Sequence, residues 1–284
     1  MIIPMLIAPP PLADQSNPPT LYLQVDGGRI AYDDTGDGPV VICVPSMGDV
    51  RAEYRFLRPR LLAAGFRVVT MDLRGYGESS ATFSDYSSPA IGSDILALAD
   101  HLNAGPVSIV GTSIAGGAAA WAAAQAPDAV SRTVLIGAFV RDHDMNPFMK
   151  LAFNAMVAGP WGPSLWSMYF PNFYPSQKPA DLDAYRSVLR ANLSEPGRMA
   201  ALRAMANRSD AAVEARLTNI SAPTLVVMGS RDPDFDDPVA ECGWIAEQVH
   251  GTALVVQGAG HYPHAEMPDQ VGPEIVRFLS GTRA

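Results

Sequence analysis

Short apolar runs alternate with amphipathic segments along most of this chain. Continuous apolar runs indicate strands that are buried on both faces, and apolar residues spaced three or four apart indicate helices. The predicted strands cover residues 21–25, 29–33, 40–44, 67–71, 107–110, 133–136, 224–228 and 253–256. The predicted helices cover residues 53–64, 89–102, 118–126, 239–249 and 270–279. This order predicts an α/β fold, with a mostly parallel sheet of about eight strands and helices on both faces.

The alternation is interrupted between residues 141 and 218. This stretch contains seven prolines and many aromatic residues, and it has no clear strand pattern. We predict a helical insertion over residues 141–218, placed after the sixth strand, which divides the core into residues 21–140 and 219–284. Residues 1–20 include three consecutive prolines, so we predict an irregular N-terminal tail.

Length and charge restrict the kind of protein and its partners. A chain of 284 residues is long enough for one large core with a smaller lobe. Its formal net charge of −9 disfavours nucleic acid and anionic membranes as partners. No apolar run is long enough to span a membrane, and the apolar start lacks the basic residues of a signal peptide. We therefore expect a cytoplasmic monomer or homodimer that acts on a small molecule.

The cysteine and glycine patterns do not point to a cofactor. The two cysteines, Cys43 and Cys242, have neither metal-ligand spacing nor a disulfide framework around them. The sequence has no glycine-rich phosphate-binding motif and no dinucleotide-binding motif. We expect a protein without a metal and without a cofactor.

The strongest chemical signal lies in residues 107–116, which read Val-Ser-Ile-Val-Gly-Thr-Ser-Ile-Ala-Gly. A β-branched run, a turn of small residues and an alanine-rich helix place Ser113 at a sharp corner with its hydroxyl facing outward, as in a nucleophile elbow. Ala115 occupies the place of the usual last glycine, and Gly116 and Gly117 follow, so close packing remains possible. An ordinary strand-to-helix turn can carry the same pattern, so residues elsewhere in the chain are needed to distinguish the two interpretations.

A serine nucleophile needs a base within hydrogen-bond distance. His261 follows a predicted strand in the loop Gln257-Gly258-Ala259-Gly260-His261, at the edge of the sheet where sites form in α/β folds. His264 is the nearest alternative, and we interpret it as a supporting or exposed loop residue. The other histidines have no motif around them; they are His101, His143 and His250.

The base in turn needs an acid that orients its imidazole ring. Asp232 follows the predicted strand over residues 224–228 and is the preferred candidate. We interpret the neighbouring carboxylates as solvated turn residues; they are Asp234, Asp236 and Asp237. The alternative acids follow the sixth strand; they are Asp142 and Asp144. The preferred order along the chain is therefore Ser113, Asp232, His261.

Together these residues resemble the α/β-hydrolase superfamily, and the resemblance extends from about Leu21 onward. The segment Asp72-Leu73-Arg74-Gly75-Tyr76-Gly77-Glu78-Ser79 is similar to the loop after the fourth strand in many cap-bearing members. The resemblance implies an α/β-hydrolase core, with the insertion over residues 141–218 forming a helical cap above the active site. A serine at the elbow suits acyl transfer, whereas the haloalkane dehalogenases and epoxide hydrolases of this fold use an aspartate there.

The resemblance also implies an oxyanion hole, which would bind the negatively charged oxygen of the tetrahedral intermediate. The segment Val41-Ile42-Cys43-Val44-Pro45-Ser46-Met47-Gly48 occupies the place of the oxyanion loop. Many relatives carry His-Gly where this chain has Pro45-Ser46, but backbone N–H groups do the work in an oxyanion hole. We expect these groups to be the amides of Met47 and Ile114.

These features predict a cofactor-free serine hydrolase that cleaves small, fairly apolar carboxylic esters. Aromatic residues in the insertion, such as Phe153, Trp166 and Phe173, suit an apolar substrate group. A lactonase, a carbon–carbon-bond hydrolase or a perhydrolase-type enzyme could use the same three residues. The alternative from another class is a non-catalytic ligand-binding protein that retains the fold.

Overall fold

A computed structural model describes residues 18–142 and 147–281 of the chain. Its eight strands form one sheet; they are β1 (Leu21–Val25), β2 (Gly28–Thr35), β3 (Val40–Val44), β4 (Arg67–Met71), β5 (Val107–Thr112), β6 (Val130–Ile136), β7 (Thr224–Gly229) and β8 (Thr252–Val256). Residues 1–17 of the predicted tail lie outside the described residues, as do His143 and Asp144.

The strands are arranged in the order β1-β2-β4-β3-β5-β6-β7-β8. The β1–β2 and β2–β4 pairs are antiparallel, and every other neighbouring pair is parallel. The predicted sheet of eight mostly parallel strands is therefore confirmed. Because β3, β5, β6, β7 and β8 run in the same direction and lie side by side, the loops that follow them meet at one edge of the sheet.

Helices connect most of the parallel strands. The helices of the described residues are α1 (Arg58–Ala63), α2 (Ser88–Leu102), α3 (Ile114–Gln125), α4 (Pro147–Ala158), α5 (Gly162–Tyr169), α6 (Leu182–Leu193), α7 (Arg198–Ala206), α8 (Ala211–Glu214), α9 (Pro238–Gln248), α10 (Pro263–Glu266) and α11 (Pro268–Leu279). None of these helices is both long and apolar enough to cross a membrane.

The predicted continuous helix over residues 53–64 is wrong. A 3-10 helix covers Arg51–Arg55, and α1 begins only at Arg58. Pro59 explains the break, because its ring would clash with the carbonyl group four residues earlier in a continuous helix. Pro59 is tolerated in the first turn of α1, because a backbone N–H at that position would have no acceptor within the helix.

The core lies on both faces of the sheet, and strand alternation decides which residue faces which side. On β3, Val40, Ile42 and Val44 belong to the apolar cluster that also includes α2, α3 and α9. Val41 and Cys43 belong to the cluster on the opposite face, which includes α1 and α11. Every side chain of β3 is therefore buried, as its continuous apolar run predicted.

Helices α4 to α8 lie between β6 and β7 in the sequence, and we refer to them as the inserted helices. They are joined to the loop after β4 by polar contacts. Arg198 of α7 donates to the carbonyl oxygens of Ser79 at 2.6 Å and Gly77 at 2.7 Å. Asn192 of α6 exchanges two hydrogen bonds of 3.0 Å with the backbone of Gly77. The contacts fix α6 and α7 against the core.

Candidate active site

Ser113 lies in the turn between β5 and α3 and has a backbone conformation that a residue other than glycine rarely adopts. Its φ of 60° and ψ of −123° bend the chain sharply between the strand and the helix. The close approach of the backbone segments around Ser113 requires glycine at two nearby positions. A Cβ atom on Gly111 would lie 2.3 Å from the carbonyl oxygen of Ala115, and one on Gly117 would lie 2.1 Å from that of Phe139. Small residues therefore permit the elbow that the sequence predicts.

Hydrogen bonds of the Ser113 backbone fix the elbow against β6. Its amide donates to the carbonyl oxygen of Ile136 at 2.8 Å, and its own carbonyl accepts from Phe139 at 3.2 Å. Ile114 follows as the first residue of α3. Its amide is one of the first four in the helix, which have no acceptor within the helix itself, and it lies at the positive end of the helix dipole. This position suits the binding of a negatively charged oxygen.

Asp232 and His261 form a buried hydrogen-bonded pair. Asp232 lies three residues beyond the end of β7, and His261 lies five residues beyond the end of β8. The carboxylate Oδ2 of Asp232 lies 2.8 Å from Nδ1 of His261, and both residues are at most 2% exposed. With Nδ1 engaged by Asp232, the other ring nitrogen, Nε2, remains as the proton acceptor.

The end of β6 brings this pair close to the elbow. A Cβ atom on Gly137 would lie 3.1 Å from the His261 ring and 3.2 Å from Asp232 Oδ2. Gly137 directly follows Ile136, whose carbonyl oxygen accepts from the Ser113 amide. The ring of Phe139 then lies 6.3 Å from the His261 ring, measured between centroids. Ser113 and His261 are therefore both close to residues 136–139.

Asp234 is not the solvated turn residue that the sequence suggested. Its side chain is 24% exposed, and its Oδ2 lies 3.6 Å from Nδ1 of His261. Its backbone amide donates to Oδ1 of Asp232 at 3.0 Å. The turn that contains Pro233 therefore directs two carboxylates toward one imidazole ring. Pro233 fixes one backbone angle of the turn, but the sequence alone does not reveal which way the second carboxylate points.

The two carboxylates change the acidity of the histidine. Burial alone would lower the pKa of His261, but the negative charges of Asp232 and Asp234 outweigh it and raise this pKa to about 9. Burial also raises the pKa of Asp234 to about 6, against the opposing effect of His261. The two carboxylates therefore stabilise the protonated form of the His261 ring.

Met47 lies in a tight turn at the end of β3, next to the elbow. Val44, the last residue of β3, pairs with Gly111 of β5. The amide of Asp49 donates to the carbonyl oxygen of Ser46 at 3.2 Å, which closes a turn that contains Met47 and Gly48. Gly48 adopts a φ of +74°, which favours glycine. The structure thus brings the loop of Met47 alongside the start of α3.

The sequence did not predict the roles of Glu53 and Tyr54, which stabilise this turn from the core. The Glu53 carboxylate accepts from the Ser46 amide at 2.7 Å, and its other oxygen lies 3.2 Å from Nε2 of His264. The hydroxyl of Tyr54 donates to the carbonyl oxygen of Val44 at 2.7 Å and lies 2.9 Å from Oγ1 of Thr112. His264 is therefore a buried supporting residue. The buried ring of Tyr54 links the strand before the turn to the strand before Ser113.

The alternative acid Asp142 has a different role. Its carboxylate accepts from the Ser209 hydroxyl at 2.7 Å and from the Asp210 amide. These contacts join Asp142 to the start of α8. Asp236 and Asp237 are exposed, and Asp237 caps the start of α9 by accepting from the Ala240 amide at 3.0 Å.

Three potential ligand atoms for a metal ion lie close together. One atom each from Asp232, Asp234 and His261 lies within 4.8 Å of the others. A cation bound to all three through Nδ1 of His261 would displace the hydrogen bond between Asp232 and this atom. The predicted absence of a metal therefore needs a direct test.

Comparisons with known proteins agree with this architecture. The sequence is 25% identical over 203 residues to 3-oxoadipate enol-lactonase 2 of Acinetobacter baylyi, covering 71% of this chain and 74% of that enzyme. A thermophilic esterase from Thermogutta terrifontis has a similar structure, with a TM-score of 0.80, 25% identity and coverage of 94% of this chain and 100% of the esterase. A bromoperoxidase from Bacillus anthracis has the same fold, with a TM-score of 0.81, 21% identity and coverage of 92% and 100%. Residues 41–273 match the model of the alpha/beta hydrolase family, and the chain therefore belongs to that family.

Proposed function

We propose that this protein is a serine hydrolase that cleaves small, fairly apolar carboxylic esters through an acyl-enzyme on Ser113. The observation that carries the proposal is the buried 2.8 Å hydrogen bond between Asp232 and His261, next to an elbow that holds Ser113 at a φ of 60°. A structural histidine does not need an orienting carboxylate beside a strained serine, whereas nucleophilic catalysis does.

The proposed reaction has two stages. In the first, Nε2 of His261 removes the proton from Oγ of Ser113, and Oγ attacks the ester carbonyl carbon. The amides of Met47 and Ile114 stabilise the tetrahedral oxyanion. The intermediate then collapses: the bond to the alcohol oxygen breaks, and His261 transfers its proton to the departing alcohol.

The second stage repeats the chemistry with water. His261 removes a proton from a water molecule, whose oxygen attacks the acyl carbon of the ester formed with Ser113. Collapse of this intermediate returns the proton to Oγ and releases the carboxylic acid. Asp232 holds the imidazole in the correct tautomer and stabilises the imidazolium in both stages.

The inserted helices support an apolar substrate group. In the proposed site they form the cap, and Phe173, in the 3-10 helix between α5 and α6, packs against the His261 ring with 5.3 Å between centroids. Trp166 packs over Gly48 of the Met47 turn, since a Cβ atom on Gly48 would lie 2.8 Å from its ring. Aromatic surface next to His261 and the Met47 turn favours a hydrophobic acyl or alcohol group of modest size. The thermophilic esterase that resembles this chain supports ester hydrolysis as the reaction.

Lactone hydrolysis is the second candidate. A lactone is a cyclic ester, so the same nucleophile, base and oxyanion donors would open it. The observation that favours it is the 25% identity to an enol-lactonase over 71% of this chain. The two candidates differ in the shape of the substrate and not in the reacting groups, so rates on matched open-chain esters and lactones separate them.

A fluorophosphonate probe tests the hydrolase proposal directly. The probe reacts with activated serines, so the wild-type protein should be labelled at Ser113 and the Ser113→Ala variant should remain unlabelled. The same variant should lose hydrolysis of 4-nitrophenyl acetate by a factor on the order of 10⁴ or more while it stays folded. An unlabelled wild-type protein that binds esters without turnover would instead indicate the non-catalytic ligand-binding alternative.

A further inference from the structure

The turn that contains Met47 is held at its two ends by different parts of the molecule. At the first end, the Ser46 amide donates to Glu53 at 2.7 Å, and Glu53 belongs to the core. At the other end, the Asp49 carboxylate accepts from the Val50 amide at 2.7 Å and from the hydroxyl of Tyr185. Tyr185 belongs to α6, so one end of the turn is bound to the inserted helices.

Tyr185 is itself held in place by a core arginine. The Arg55 guanidinium lies 3.9 Å from the centre of the Tyr185 ring. The same guanidinium forms two hydrogen bonds, of 2.6 Å and 3.0 Å, with the carboxylate of Asp181, which immediately precedes α6. Arg55 therefore fixes both the start of α6 and the ring whose hydroxyl reaches Asp49.

The contact between Tyr185 and Asp49 is buried from solvent. Asp49 is fully buried and Tyr185 is 5% exposed. A buried carboxylate oxygen that loses a donor is costly, because water does not replace the lost hydrogen bond in a packed interior. The other oxygen of Asp49 has no hydrogen-bond partner among the described residues. Loss of the Tyr185 hydroxyl would leave Asp49 with the Val50 amide as its only donor in the described structure, and Asp49 would be free to move with the turn.

We propose that Tyr185 is a positioning residue for the oxyanion hole: through Asp49 it fixes the turn that presents the Met47 amide. Oxyanion stabilisation then depends on how α6 is seated on the core, so the inserted helices contribute to the chemical step as well as to substrate binding. The inference rests on the proposed function, because it assigns a catalytic task to the Met47 amide.

The test compares Tyr185→Phe with Tyr174→Phe. Both tyrosines are buried, but the Tyr174 hydroxyl has no hydrogen-bond partner among the described residues. Tyr185→Phe should lower kcat for 4-nitrophenyl acetate by about tenfold or more, since a displaced oxyanion donor weakens transition-state binding. Its KM should change by less than about twofold, because the ground-state ester does not need the donor in the same position. Tyr174→Phe should retain both constants.

A second measurement follows the turn itself and does not depend on turnover. Hydrogen exchange of the peptide that covers residues 44–50 should become faster in Tyr185→Phe than in the wild type, and it should be unchanged in Tyr174→Phe. If Tyr185→Phe and Tyr174→Phe have the same kcat, or the same exchange rate in this peptide, the proposal is wrong. A lowered melting temperature with normal kcat also overturns it, because that result indicates a purely structural contact.

Failure of the proposed function would be visible separately, as an unlabelled Ser113 in the wild-type protein treated with a fluorophosphonate. In that case the exchange comparison still decides whether Tyr185 holds the turn. Unchanged exchange in Tyr185→Phe would reject the role of Tyr185 whether or not the protein is a hydrolase.

Discussion

Two carboxylates face one imidazole ring at the centre of the proposed site. Asp232 lies 2.8 Å from Nδ1 of His261, and Asp234 lies 3.6 Å from the same atom. The shorter contact has the length of a charge-assisted hydrogen bond, whereas the longer one acts through charge alone. We therefore propose that Asp232 orients the ring, and that Asp234 adds to the effect of Asp232 on its acidity.

The first prediction separates Asp232 from the alternative acid. Asp232→Asn should lower kcat by a factor on the order of 10³ to 10⁴, because an amide favours the wrong imidazole tautomer and does not stabilise the imidazolium. Asp142→Asn is the matched control and should stay within a few-fold of the wild type, since Asp142 binds the start of α8. Steady-state kinetics on 4-nitrophenyl acetate measure both. A large loss of activity in Asp142→Asn, with normal activity in Asp232→Asn, would instead assign the orienting acid to the loop after β6.

The second prediction concerns the pH dependence of activity. His261 accepts a proton only when it is neutral, and its pKa is raised to about 9. Activity should therefore increase as the pH rises and His261 loses its proton. The acidic limb of kcat/KM should lie above the ordinary histidine value of about 6.5. Asp234→Asn removes a negative charge that favours the imidazolium, so it should move this limb to lower pH.

Activity of the Asp234→Asn variant at high pH should remain close to that of the wild type. The backbone amide of residue 234, which donates to Asp232, is unaffected by the substitution. A pH–rate profile from about pH 5 to about pH 10 checks both the shift of the acidic limb and the activity at high pH, because histidine titrates within this range. An acidic limb that stays in place or moves upward would show that Asp234 does not act on His261.

At the scale of single elements, local turn chemistry explains why much of the site could be predicted from the sequence. The elbow needs small residues next to Ser113, and the loops after β7 and β8 carry Asp232 and His261 directly. The fold class could also be predicted, because buried parallel strands are continuous apolar runs. The resemblance to the α/β-hydrolase superfamily that these motifs indicated is confirmed by the family match over residues 41–273.

The supporting contacts could not be predicted in the same way. Tyr185 and Asp49 are 136 residues apart in the sequence, and Tyr54 and Thr112 are 58 apart. Neither pair belongs to a short motif, and their meeting depends on how separate elements pack. Asp234 was misinterpreted for a related reason, because the direction of its side chain depends on the three-dimensional path of the loop.

The third prediction tests the close approach at the elbow. Gly117→Ala in α3 should lower the free energy of unfolding by about 2 kcal/mol or more, because its Cβ atom would lie 2.1 Å from the backbone oxygen of Phe139. Gly243→Ala in α9 is the matched control, since a Cβ atom there meets nothing within 4 Å. It should raise the free energy of unfolding by about 0.5–1 kcal/mol, through helix propensity alone. Urea denaturation measures both, and equal effects would contradict the packing argument.

At the scale of the whole molecule, the site is assembled from segments far apart in the sequence. Residues 45–49 follow β3, Ser113 follows β5, residues 137–139 follow β6, and the loops after β7 and β8 supply Asp232 and His261. Parallel order in the sheet brings these loops to one edge. The inserted segment contacts this edge through Tyr185 of α6 and through Phe173, which lies between α5 and α6. In the proposed mechanism, every proton transfer and every oxyanion contact is made by a group of this chain.

The last prediction follows from that assignment: hydrolysis should not require a metal ion. Activity on 4-nitrophenyl acetate should be unchanged after exhaustive dialysis against EDTA. Zinc at millimolar concentration should inhibit, because a cation bound by Asp232, Asp234 and His261 would break the hydrogen bond between Asp232 and the ring. Asp234→Asn should weaken that inhibition, since it removes one of the three ligands. A large loss of activity in EDTA that a divalent ion restores would instead make these three residues a metal site and reject the Ser113, Asp232 and His261 mechanism.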